Sequence, residues 1–416
     1  MTLCSSAVKI DLDRLTGTSA TIVSRGSETL DAATRLLSDL VAIPSVNPMG
    51  RAVEGPNFFE SRLSDYLDRW FSDIGVMFER RTIAPGRDNV IARFEAPNSR
   101  RTLLFDVHQD TVPVDGMTIP PFTPVVSNGR LSGRGACDVK GGMASMLLAF
   151  ARLVRERPRD SASVVLACTV DEEYTHIGSS DLAASRHGAE LAIVAEPTCL
   201  NLIDRHKGAI RWKIVSHGIS CHSSTPKLGQ NAIYRMAQVV SHIAEYAESL
   251  ANSTADPILG PPSISVGRIE GGQSVNIVPE RCEIEIDRRV IPTERLEDCP
   301  GHVRKYLAAR MGNLEDIEFL PPWVRMPPLS PSPTGADRWL EPVRSAIQHA
   351  TGRRPEVGGV PFGTDAGPLA EAGLASFVFG PGDIAQAHTK DEWIELDQVR
   401  AAADAYYEIA VKLGSN

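Results

Sequence analysis

The sequence predicts an α/β protein: a mostly parallel mixed sheet flanked by helices, with a smaller α+β domain inserted into it. Three observations carry that expectation. Short β-rich runs alternate with helix-length amphipathic segments through the first half of the chain, the texture changes near residue 210, and the alternation resumes after the proline-rich "LPPWVRMPPLSPSPTG" at 320–335. At 416 residues the chain also exceeds what one hydrophobic core organises.

Taken in order, a polar lead-in of about 25 residues precedes "ETLDAATRLLSDLVAI" (28–43), where Leu30, Ala33, Leu36, Leu37 and Leu40 recur at helical spacing. A second helix is expected in "PNFFESRLSDYLDRWFSDIG", with Pro56 in its first turn, Gly75 past its end, and Phe59, Leu63, Leu67, Trp70 and Ile74 on one stripe. Strands follow at "NVIARFE", "TLLFDV", "SVVLACTV" and "LAIVAE", with the helix "MASMLLAFARLVRER" stopping before Pro158. From residue 210, "IRWKIVSHG", the helix "NAIYRMAQVVSHIAEYAESL", "SISVGRI", "CEIEIDRRV", a helix near "RLEDCPGHVRKYLAA" and a last strand near "DIEFL" give the order β-α-β-β-α-β. The domains are therefore expected at 1–209 and 323–416, two parts of one α/β domain, and at 210–322, the insertion.

In parallel sheets ligands gather at the carboxyl ends of the strands, so the strand exits are where chemistry is sought. "TLLFDV" exits into His108-Gln-Asp110; the turn "GRGACDVKGG" holds Asp138; "SVVLACTV" exits into Asp171-Glu172-Glu173; "LAIVA" exits into Glu196; and "ASFVFG" leads on to His388. One carboxylate or imidazole at a strand end ordinarily caps a helix or faces solvent. Several at successive exits form an N/O donor set suited to Zn²⁺ or a similar divalent ion, and a central carboxylate can bridge two such ions. The His-x-Asp spacing has its own reason. Residues two apart in an extended segment share a side, so Asp110 is expected to orient His108. Glu172 beside Glu173 invites a division between a base and a ligand, although an acidic turn would look the same.

"GRGACDVKGG" lacks the G-x-x-x-x-G-K-[ST] pattern of a phosphate loop, and its glycines are read as letting the backbone turn around Asp138. Cys137 has no Cys/His/Asn constellation and is read as a small buried thiol. A net charge of -9 with no long Lys/Arg cluster argues against a nucleic-acid partner. Seven widely spaced cysteines without a C-x-x-C pair read as free thiols in a reducing compartment. No leader pattern and no apolar run of membrane-spanning length occurs, so no membrane partner and a cytoplasmic location are expected.

Taken together, "HQDTVP", "GRGACDVKGG", "DEE", "EPT", "HKG", "HSSTPKLGQNAI", "VNIVPE", "FGTDA" and "AHTKDEWIE" resemble, in order, the co-catalytic zinc amidohydrolases and metallopeptidases. That family includes acetylornithine deacetylase, succinyl-diaminopimelate desuccinylase, aminoacylase and carboxypeptidase G; the closest likeness is to acetylornithine deacetylase-like members. The resemblance implies a zinc-exopeptidase-like catalytic domain with a ferredoxin-like lid that mediates homodimerisation. It implies two Zn²⁺ per subunit, or Co²⁺, with His108, Asp138 and Glu196 on one ion, Asp138, Glu173 and His388 on the other, and Asp138 bridging. Glu172 would be the general base and Asp110 the partner of His108. His222 would reach a neighbouring subunit's site to stabilise an oxyanion.

The resemblance also makes Arg289, Asn276 and Thr364 substrate-binding residues, a guanidinium being suited to an α-carboxylate. Strand alternation sends the adjacent Arg288 to the other face. His176, His187, His206 and His217 match no metal-ligand position and are read as structural or solvent-facing. Glu at position 196 accompanies the deacylase-like branches, where peptidase branches tend to have Asp. The implied reaction is deacylation of an N-acyl-L-amino acid, with a dipeptidase or carboxypeptidase as the alternative substrate class. A non-catalytic ligand-binding descendant would have lost a ligand or the base, and "FGTDAGP" departs from the bacterial acetylornithine deacetylase version.

Overall fold

The computed structural model describes residues 30–332 and 334–414, with the backbone of the short strand Val23–Ser24. The polar lead-in, read as carrying no leader, and Cys4 lie outside the described residues. The chain divides into two compact units: residues 1–204, 331–358 and 364–416 form the first, and 205–330 with 359–363 the second.

In the first unit a parallel block runs in the order Ala375–Val378, Leu191–Val194, Thr102–His108, Ser163–Thr169. Beyond it Arg87–Phe94 and Phe78–Ala84 add antiparallel, making the sheet mixed. Thr102–His108 is buried along nearly its whole length, as expected for a strand covered on both faces. Leu103, Phe105 and Val107 pack with Leu166, Ile193, Met146, Phe150 and Tyr406 in one core. The Phe105 and Tyr406 rings lie 5.5 Å apart.

The first helix spans Ala32–Ala42, its amino end capped by Asp31, whose side chain accepts from the Thr34 amide at 2.9 Å. The second helix begins only at Ser61, five residues beyond Pro56. Backbone pairing explains the delay: Val46 bridges Phe58, and Phe59 turns into the left-handed region at φ 64°. The helix Gly141–Glu156 ends as expected, with Arg157 left-handed before Pro158.

The second unit holds an antiparallel sheet in the order Ser263–Gly271, Arg281–Val290, Gly208–His217, Ile317–Phe319. With the helices Ala232–Ala251 and Cys299–Met311 this is the ferredoxin-like β-α-β-β-α-β arrangement. Trp212, Ile214, Met236, Val239, Ile243, Ile284, Ile286, Val303 and Leu307 form its own core. Asn231 caps the first of these helices, accepting from the Ile233 and Tyr234 amides. Among the described residues, no helix is long and apolar enough to cross a membrane.

Candidate metal centre

Because the four central strands of the first unit are parallel, their carboxyl ends share one edge. Register fixes the heights: His108 pairs with Thr169, and Asp106 pairs with Val194, so His108 and Glu196 both stand two residues beyond a matched pair. The Asp171–Glu173 turn begins two residues past Thr169, after Val170, with Asp171 left-handed at φ 66°. Two trios of donor atoms converge there, His108 with Glu172 and Glu196, and Asp138 with Glu173 and His388. Asp138 joins them, its Oδ1 lying 3.2 Å from His108 Nε2 and its Oδ2 3.2 Å from His388 Nε2. His388 Nε2 is also 3.1 Å from Glu173 Oε2.

The donor chemistry fits a divalent cation. His108 Nδ1 lies 3.0 Å from the Asp110 backbone oxygen, which can only accept, so Nδ1 carries the proton and donates. Nε2 then faces Asp138 Oδ1 at 3.2 Å, an arrangement that either a proton on Nε2 or a metal ion bound by both atoms satisfies. Glu173 Oε1 is buried without a hydrogen-bond partner. Burial, and then the neighbouring carboxylates, push Glu172, Glu196 and Glu173 up from the ordinary carboxylate range. Hydrogen bonds to Asp138 and then Glu173 push His388 up to about 11. For His108, burial alone would lower the value, but Asp138 and the surrounding carboxylates raise it well above the ordinary imidazole range. Four carboxylates around two imidazoles thus lack positive charge.

Asp110 meets His108 as expected of its partner, but through a different atom. The Asp110 carboxylate does not take the His108 proton: its Oδ1 is 3.7 Å from Nδ1, and the shorter bond goes to the Asp110 carbonyl. The carboxylate oxygens are engaged elsewhere, accepting from the Glu172 and Glu173 amides, each at 3.1 Å, and from Asn47 Nδ2 at 2.8 Å. Backbone amides thus draw Asp110 into bracing the Glu172-Glu173 turn. Asn47 also reaches Asp171, which pairs with buried Arg87, itself bound to Glu60.

Sequence reading missed Asn47 and Arg87, and it missed Glu392. The Glu392 carboxylate is fully buried, accepting from the Gly135, Cys137 and Asp138 amides at 2.8–3.0 Å and from Arg134 at 2.7 Å. It shapes the turn that presents Asp138. Gly135 in that turn sits at φ 80°, and a Cβ there would meet Thr111 at 2.7 Å. Cys137 is buried, its Sγ donates to the Asp383 carbonyl, and burial pushes its thiol up. Replacing Glu392 with Gln strands the Arg134 charge inside the protein. Unfolding by urea is expected to show a loss of about 3–5 kcal/mol, and an unchanged midpoint would refute this reading of the turn.

Thr364 is fully buried, and its hydroxyl accepts from the Ala366 amide at 3.2 Å, at the start of the helix Ala366–Glu371. His176 is buried as well, with Nδ1 3.1 Å from Asp365 Oδ1.

In the second unit, His222 and Asn276 lie on paired loops: His222 bridges Ile277, and the Ser223 amide donates to the Asn276 carbonyl at 3.0 Å. The Ser224 amide donates to His222 Nδ1 at 3.1 Å, so the proton of the neutral ring is on Nε2. Arg288 is buried against Glu294, whereas Arg289 stays half-buried on the opposite face and donates to Asp287. Arg211 shares that carboxylate, leaving two guanidinium groups on one anion.

A His/Asp/Glu cluster, buried but for His388, at the carboxyl edge of a parallel block has the make-up of a metal-dependent enzyme centre. Residues 104–412 match the peptidase family M20/M25/M40. The acetylornithine deacetylase of Pectobacterium atrosepticum is 31% identical over 382 residues, covering 89% of this chain and 94% of that protein. That of Salmonella arizonae is 32% identical over 381 residues, with the same coverage. The metallo-carboxypeptidase Sso-CP2 of Sulfolobus solfataricus shares the fold at a TM-score of 0.73 and 20% identity, over 92% of this chain and all of that one. Human carnosine dipeptidase 1 does so at 0.64 and 14%, over 92% and 97%. The chain belongs to peptidase family M20/M25/M40 and is a hydrolase of amide bonds.

Proposed function

We propose that this protein removes the acyl group of an N-acyl-L-amino acid, in the manner of an acetylornithine deacetylase. The supporting observation is the likeness to acetylornithine deacetylases along nearly the full length of both chains. Glu at position 196 points the same way. His108, Asp138 and Glu196 would hold one Zn²⁺, and Asp138, Glu173 and His388 a second, with Co²⁺ able to substitute. When bound, such a pair acidifies water and polarises a carbonyl.

The chain's own residues do the rest. Glu172, whose turn is braced by Asp110, takes the proton from the attacking water and later hands it to the departing amine nitrogen. His222, with Nε2 as its proton-bearing nitrogen, donates to the oxyanion, reaching it from the partner in a homodimer formed through the 210–322 segment. Arg289 holds the α-carboxylate bidentately, and Asn276, on the loop paired with that of His222, grips the substrate from the same side as His222. Thr364 keeps the substrate-binding role that the resemblance implies: its hydroxyl accepts from the Ala366 amide and still has its own proton to donate. The six described cysteines are all free thiols, which suits a reducing cytoplasm.

The test is activity profiling of the zinc-loaded enzyme over N-acetyl, N-succinyl and N-formyl amino acids and a set of dipeptides, beginning with acetylornithine. The best N-acyl amino acid is expected to exceed the best dipeptide by at least about tenfold in kcat/KM. The reverse order would assign the chain to the family's peptidases. Failure to bind any divalent ion after zinc supplementation would leave only a ligand-binding descendant.

A further inference from the structure

Beside Glu172 the first unit carries a second arrangement of buried polar groups. It consists of Glu172, His176 and Asp365, whose donor atoms converge as closely as those of the metal trios. The hydrogen bonds distinguish it from a third cation site. Asp365 Oδ1 accepts from the Ser179 hydroxyl at 2.5 Å and faces His176 Nδ1 at 3.1 Å, while its Oδ2 lies 3.0 Å from the Thr169 hydroxyl. Both oxygens are therefore already served by the protein. Held at Oδ1 by the Ser179 hydroxyl and the His176 ring, with the Thr169 hydroxyl shared between its Oδ2 and Asp106, the Asp365 carboxylate is kept from turning, and it fixes the proton of His176 on Nδ1. That same N–H edge stands 3.8 Å from Glu172 Oε1. The imidazole is thus a spacer whose positive edge lies between two carboxylates that would otherwise repel each other.

We propose that His176 and Asp365 are positioning residues for Glu172, holding its carboxylate at the angle from which it serves the reaction. Asp365 anchors the ring, and the ring restrains the base from a side that Asp110 does not reach, because Asp110 acts on the backbone of the same turn. The inference rests on the reading of Glu172 as the base, and it adds to that reading two residues that touch neither substrate nor metal.

A double-mutant cycle tests it on the amide substrate that the wild-type enzyme turns over fastest, with zinc-loaded protein. His176→Ala is expected to lower kcat by about 10²-fold with KM within about twofold, the cost of misplacing a base by roughly an ångström. Metal content per chain should match the wild type. In a Glu172→Asp background, where the base has already left its position, the same substitution should cost less than about threefold. His176→Asn, which keeps an N–H near the place of Nδ1, should recover kcat to within about fivefold of wild type. If His176→Ala does not fold, Asp365→Asn carries the same cycle, with the same near-disappearance of its effect in the Glu172→Asp background.

Equal losses in both backgrounds would show a merely structural pair and overturn the proposal. So would loss of a bound ion on His176→Ala, which would make the trio a ligand set, or a His176→Asn enzyme as impaired as His176→Ala. Failure of the underlying reading looks different: Glu172→Gln would then keep its turnover.

Discussion

Glu172→Gln is expected to lower kcat by roughly 10³-fold while the enzyme binds as much metal as the wild type. The amide matches the carboxylate in size and can still face the Asp365–His176 pair, but it cannot accept a proton. The backbone hydrogen bond that holds the residue, from the Glu172 amide to Asp110 Oδ1 at 3.1 Å, does not involve the substituted group. Metal analysis decides between two geometries. Glu172 Oε lies in the same trio as His108 and Glu196, so it could be a ligand there. The Asp138 oxygen 3.2 Å from His108 Nε2 competes for that position and leaves Glu172 free to act as base. Loss of one ion together with activity would favour the first geometry; retained metal with lost turnover favours the second. Near wild-type turnover would remove Glu172 from the mechanism.

How much of this was legible in the sequence follows from which contacts are local. His108, the Asp171–Glu173 run and Glu196 stand out because each directly follows an apolar strand, and strand periodicity is written in consecutive residues. That these strands are parallel and adjacent could be inferred from their alternation with helices, and the sheet order confirms it. The supports behind them were not legible. Glu392 is bonded to amides more than 250 residues earlier, and nothing in "KDEWIE" marks it as buried rather than solvated. Asn47 and Arg87 reach the turn from separate elements, as two polar residues among many. For Asp110 the spacing argument located the residue but not the atom. A pleat argument cannot tell a carbonyl from a carboxylate as the partner of Nδ1, and here the carboxylate was drawn off by two backbone amides. Pro56 misled for a similar reason: proline opens turns as readily as helices, and the pairing of Val46 with Phe58 made it a turn.

Asp138→Ala is expected to be the most damaging single change at the centre, because one side chain serves both halves. Its oxygens face different histidines, each at 3.2 Å. Removing them leaves His108 with Glu196 on one side and Glu173 with His388 on the other. Each pair falls short of the three protein ligands usual for a catalytic zinc. Bound metal should drop from two ions per chain to fewer than one, and kcat by at least about 10³-fold. Asp138→Asn separates the two halves, since its amide keeps one ligating oxygen and loses the other. It should retain close to one ion. Thermal unfolding gives a readout independent of turnover: a ligand at a hundred times its dissociation constant stabilises the native state by about 2.7 kcal/mol. Wild-type protein should therefore melt higher with zinc than after chelation, and Asp138→Ala should show little difference. An Asp138→Ala protein that still bound two ions, or still gained as much stability from zinc, would mean that Asp138 is no ligand and that the remaining donors hold the metal without it.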